Sequence, residues 1–133
     1  MRRTVETDDA PKPVGPYAQA VLAGELVFVA GQIGLDPATG KLVAGGTRAE
    51  LVRVLDNLAA VLRASGHTLD DVVKTTVYLV DLRETSVLNE VYARYFPAPH
   101  PARATVQVAA LPAGARVEIE AVAVRGQPVG IAT

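Results

Sequence analysis

Two charged residues in the last third of the chain, Arg103 and Glu118, sit in segments that otherwise read as strands. Arg103 opens one of them, directly after Pro97, Pro99 and Pro101 have broken a helical pattern. Glu118 lies inside the next, between Val117 and Ile119, in a run that continues as Ala121, Val122, Ala123 and Val124. A guanidinium is a planar, permanently charged fork that grips a carboxylate through two parallel hydrogen bonds. A carboxylate among apolar neighbours can exchange a proton near neutrality. Together they are the two halves of a site that holds a small acid and activates water. Taken singly, each is a residue type that usually faces solvent, so the elements around them must decide.

Those elements alternate along the chain. Tyr17 to Ala30 carries two short apolar runs split by Gly24-Glu25, the pattern of an antiparallel hairpin. A loop from Gly31 to Gly46 follows, punctuated by Asp36-Pro37 and Gly40. Thr47 and Glu50 form a T-x-x-E capping box, and Leu51, Val54, Leu55, Leu58, Val61 and Leu62 recur at helical spacing, with Gly66 placed to end the helix. Val72–Val80, rich in β-branched residues, reads as a strand. Leu88, Val91, Tyr92, Tyr95 and Phe96 mark a second helix that Pro97 stops. Two closing strands are joined through Leu111-Pro112-Ala113-Gly114. The order is β-β-α-β-α-β-β, with a further short strand near Arg2–Val5: one α+β domain over residues 1–133, a mixed sheet with two helices on one face. The strands are apolar on both faces, so the uncovered one calls for self-association.

Composition removes several classes. Of 133 residues, half are hydrophobic and a fifth charged, with a net charge of −1, which excludes disorder and gives no general pull toward nucleic acid or anionic membrane. There is no cysteine, so no disulfide, thiol nucleophile or thiolate metal site. The two arginines near the N-terminus precede no apolar segment, and no run is long enough to span a bilayer; the expected location is the cytoplasm. Gly31-Gln32-Ile33-Gly34 is only a G-x-x-G and lacks the full dinucleotide fingerprint. His67 and His100 are read as solvated loop residues, which leaves no zinc site and no serine triad. Four tyrosines and two phenylalanines without a basic stripe give little support to a base-stacking surface, and Tyr92 and Tyr95 read as helix core.

The chain resembles the Rid family (reactive intermediate deaminases, YjgF-like, also labelled L-PSP endoribonuclease or translation inhibitor). The resemblance runs from about Ala10 to Arg125. It rests on Ala10-Pro11 with Gly15-Pro16-Tyr17, Gly31-Gln32-Ile33, Val73-Lys74-Thr75-Thr76-Val77, Asn89 ahead of Tyr92, Pro101-Ala102-Arg103, and Val117-Glu118-Ile119-Glu120-Ala121. Each motif is weak alone; six in order are specific.

The resemblance implies a chorismate-mutase-like fold assembled as a homotrimer, with an active site in each cleft between subunits. It also implies cofactor-free hydrolysis of 2-imino acids and their enamine tautomers to 2-keto acids and ammonia. By the same resemblance, Arg103 holds the substrate carboxylate and Glu118 activates water. Tyr17 and Asn89 line the cleft, and the backbone at Gly31 and Thr105 meets the carboxylate end. Many relatives carry Ser where this chain has Ala30, and Cys where it has Thr105. Two other readings stand beside this one. A non-catalytic trimer binding small carboxylates would keep Arg103 without needing a mobile proton on Glu118. RNA cleavage, or the translation inhibition of the family label, would want a basic, aromatic surface.

Overall fold

The structure is a computed structural model that describes residues 1–126 and 130–132. Six strands form a single sheet: β1 (Arg2–Val5), β2 (Ala20–Ala23), β3 (Leu26–Gln32), β4 (Val72–Leu79), β5 (Ala102–Gln107) and β6 (Val117–Val124). Two helices, α1 (Gly46–Ala64) and α2 (Thr85–Tyr95), cover one face. The order across the sheet is β1-β2-β3-β6-β4-β5. All neighbours are antiparallel except β4 and β5, which run parallel because α2 carries the chain across between them. The last strand therefore inserts between β3 and β4 rather than beside β5. No described helix is long and apolar enough to cross a membrane.

The expected hairpin, both helices and the short N-terminal strand are present. Gly24 sits at φ 61 in the β2–β3 turn, where a left-handed residue is needed. The end of α1 also follows the sequence: the Gly66 N–H bonds to Arg63 O at 3.1 Å and the His67 N–H to Leu62 O at 2.8 Å, the two bonds of a Schellman motif.

Its start does not. The Thr47–Glu50 capping box is absent; the N-cap is Gly45, with no side-chain cap. Glu50 is instead fully buried, its Oε1 accepting from the Arg116 N–H at 2.8 Å and its Oε2 facing Arg116 Nη1 at 3.3 Å. The carboxylate is needed to satisfy the backbone entering β6, and a helix end beside water can do without it. His67 is a second correction. It is 3% exposed, not solvated, with Nδ1 3.0 Å from Ser65 O, because the Schellman turn folds it back beneath the helix end.

Alternation sets the two faces of the sheet. Val27, Val29, Val77, Leu79, Val117, Ile119, Ala121 and Ala123 point to the helices and are buried with Leu51, Leu55, Leu58, Leu62, Leu88 and Val91. The other face carries Leu26, Phe28, Val106, Val122 and Val124, with Lys74, Thr76, Tyr78, Glu118 and Glu120 among them. Phe28 and Val106 are 47% and 42% exposed there. Among the described residues nothing covers this partly apolar face.

Candidate active site

Glu118 is placed by an irregularity in β3. Val29 pairs with Ala121 and Gln32 with Ile119, so β3 spends one extra residue between them, a bulge at Ala30–Gly31. The bulge brings Gly31 against the Glu118 side chain so closely that a Cβ on Gly31 would lie 2.7 Å from Glu118 Cδ. Only glycine leaves room for the carboxylate here. The loop beyond is pinned from beneath: Asn57 Nδ2, fully buried, donates to Ile33 O at 3.2 Å and Leu35 O at 2.9 Å, and Gly34 packs on the Glu50 backbone.

The Glu118 carboxyl is held above the ordinary carboxylate range, first by burial and second by the negative charge of Glu120. Among the described residues no cation or hydrogen-bond donor engages it. Glu120 differs: it accepts a 2.7 Å hydrogen bond from Tyr78 Oη and is partnered rather than free in solvent. Two carboxylates two residues apart on one strand thus have different surroundings: Glu120 is occupied by Tyr78, and Glu118, with its pKa raised, is without a partner among the described residues.

Arg103 belongs to a second cluster. Its Nη2 donates to Asn89 Oδ1 on α2 at 2.8 Å, and its guanidinium carbon lies 4.9 Å from the centre of the Tyr92 ring. A cavity of about 340 Å³ opens there, lined by Asn89, Tyr92, Ala93, His100, Pro101 and Arg103. The His100 ring stays at the surface and its Nδ1 lies 2.9 Å from Phe96 O. Thr105, two residues along β5, points to the same side of the sheet. As the edge strand, β5 has one flank of backbone groups unpaired in the sheet.

The two clusters do not meet. Arg103 pairs with Thr75, whose hydroxyl reaches Tyr92 on α2, so Arg103 lies on the helix side of the sheet. Glu118 pairs with Tyr78 and lies on the uncovered side. Tyr17 is 52% exposed, its N–H bonded to Gly15 O at 2.9 Å. The Gln19 carbonyl accepts from the Ala30 N–H at 2.9 Å, which continues the β2–β3 ladder and brings the Tyr17 segment alongside the bulge. Asn89 with Arg103 thus form one cluster and Gly31 with Glu118 another, with Tyr17 near the second and Thr105 near the first. Tyr92 was missed as a site residue; its signal was the i, i+3 spacing from Asn89, which puts both on one side of α2.

The profile of the family described as Endoribonuclease L-PSP matches residues 7–125. A human protein named 2-iminobutanoate/2-iminopropanoate deaminase is 48% identical over 126 residues, 95% of this chain and 92% of that protein. The crystal structure of RidA from an Antarctic Psychrobacter superposes with a TM-score of 0.89 at 48% identity, covering 92% of this chain and 98% of that one. That of E. coli TdcF with bound serine superposes with a TM-score of 0.88 at 40% identity, covering 93% and 99%.

Proposed function

Since the chain belongs to the endoribonuclease L-PSP family, the Rid family of the sequence resemblance, we propose that it hydrolyses 2-imino acids of the 2-iminobutanoate and 2-iminopropanoate type to 2-keto acids and ammonia. The observation that carries this reading is the Glu118 carboxylate seated on Gly31, raised in pKa by burial and by Glu120 and, among the described residues, unpaired within its own chain. Arg103 holds the substrate carboxylate bidentately. Glu118 takes a proton from water as the oxygen adds to the carbon of the protonated imine, giving a neutral carbinolamine. Return of that proton to nitrogen makes ammonia the leaving group, and as it departs the Glu118 carboxylate takes the carbinolamine hydroxyl proton and the carbonyl forms. An enamine substrate first gains a proton at carbon to become the same protonated imine. The imine is already electrophilic, so the work is mainly positioning and proton transfer, and it needs no cofactor.

One chain does not contain the whole site. Arg103 and Glu118 lie on opposite sides of one sheet, and the sheet itself keeps them apart. A second copy that covers the apolar face can bring its β5 edge, with Arg103, Asn89 and Thr105, over Glu118 of its neighbour. The reading is a homotrimer with three such clefts. Sedimentation equilibrium at micromolar concentration is expected to show trimer; a stable monomer rejects both the assembly and the shared site.

The function is tested by ammonia release from imines generated in situ by an amino-acid oxidase, run beside an RNA-cleavage control. Imine hydrolysis without RNA cleavage supports the reading. Keto-acid binding without turnover would make the chain a carboxylate-binding module. A finer test uses Gly31→Ala. The added methyl meets the far end of a flexible side chain, so the carboxylate gives way rather than the sheet. The rate is expected to fall about tenfold or more with the melting temperature little changed.

A further inference from the structure

Tyr92 is 5% exposed, and the hydrolytic reading gives it no task. It is more than filling. The Arg103 guanidinium carbon stands 4.9 Å over its ring, well within cation–π range. The ring is fixed in turn: its Oη shares a 2.7 Å hydrogen bond with the fully buried Thr75 on β4, and it packs against Phe96 with ring centres 4.6 Å apart. Packing alone would not require that polar pair, because two apolar groups of the same shape could serve nearly as well.

We propose that Tyr92, anchored by Thr75, is a positioning residue that holds the Arg103 guanidinium by its face and leaves the N–H rim for the substrate carboxylate. The inference rests on Arg103 being the carboxylate anchor. An arginine on an exposed edge strand has many rotamers and loses that freedom when it binds. The ring beneath it and Asn89 at one nitrogen restrict it beforehand, which strengthens binding by lowering the ordering cost. A ring that takes the guanidinium by its face leaves its N–H edge to a carboxylate, so the two contacts would not compete. Among the described residues only Asn89 accepts an Arg103 N–H, so the remaining donors are available.

The test measures 2-oxobutanoate binding by calorimetry, and KM and kcat for the imine, in Tyr92→Leu, Tyr92→Phe and Thr75→Val, each with and without Arg103→Ala. Tyr92→Leu is expected to weaken keto-acid binding and raise KM by about threefold to tenfold, with kcat within about twofold. Tyr92→Phe keeps the ring but loses the Thr75 bond, so it should recover the affinity to within about twofold to threefold of the unmutated chain, as for Thr75→Val. In the Arg103→Ala background none of the three should weaken binding further. Should Tyr92→Leu not fold, Thr75→Val, which keeps the volume and frees the ring, is expected to weaken binding about twofold to threefold. Affinity unchanged by Tyr92→Leu, or lowered equally when Arg103 is already gone, overturns the inference alone. No keto-acid affinity in the unmutated chain overturns the anchor and this inference with it.

Discussion

Glu118→Gln is expected to lower imine hydrolysis by about a hundredfold or more, as for other positioned proton-transfer groups. Glutamine keeps the size and sits on Gly31 as the acid does, but it takes no proton from water. Keto-acid affinity should hold, because Arg103 supplies the grip. Stability should not fall, and the sign follows from the environment. Burial and Glu120 raise the carboxyl's folded pKa above its unfolded value. The folded state therefore binds more protons in the window between those two values, and stability declines as pH rises through it. Above that window the ionised acid is a burden, which glutamine removes. In the unmutated protein, kcat/KM should fall on acidification as the Glu118 carboxylate gains a proton, and Glu118→Gln should lose that limb. Glu120→Gln is the control: it opens no proton path, and removing a negative neighbour should only move the limb to lower pH. Full activity in Glu118→Gln, or loss of activity in Glu120→Gln, would place the catalytic carboxylate elsewhere.

Arg103→Ala is expected to weaken binding of pyruvate or 2-oxobutanoate by roughly tenfold to a hundredfold, the range for hydrogen bonds to a charged group. Arg103 is exposed on an edge strand, so the fold and assembly should survive its truncation. Arg103→Lys keeps the charge but presents a point rather than a fork, and it should rescue only in part. Calorimetry decides: unchanged affinity in Arg103→Ala would mean that the carboxylate end is held by other groups.

Local chemistry was the legible part of this fold. Helical spacing from Leu51 to Leu62, the β-branched run after Val72 and the Gly66 stop each reflect contacts within a few residues, and each element formed where those contacts put it. Strand order was not legible, because insertion of β6 between β3 and β4 is decided by pairing across nearly the whole chain. Glu50 shows the same limit in one residue. Its spacing from Thr47 matched a cap, but Arg116, far along the chain, offered a backbone N–H and a guanidinium to the buried carboxylate, which outweighed it. His67 looked like a loop residue because a Gly-His pair marks a turn, and nothing nearby shows that the turn packs inward. For the site, Arg103 and Glu118 stood out as charges in apolar segments. That they occupy opposite faces follows only from the β4–β5 and β4–β6 registers. The bulge at Ala30–Gly31 is equally silent in sequence, since it depends on how β3 meets β6.

The separation of Arg103 and Glu118 by the sheet has a consequence for inheritance. If each working cleft takes its arginine from one copy and its glutamate from the next, a chain lacking Arg103 still lends a sound glutamate, and a chain lacking Glu118 still lends a sound arginine. Two alleles, each inactive alone, would then complement in a cell that makes both. Random mixing in equal amounts should restore roughly a quarter of the clefts, because one neighbour of each kind must fall in the right order around the ring.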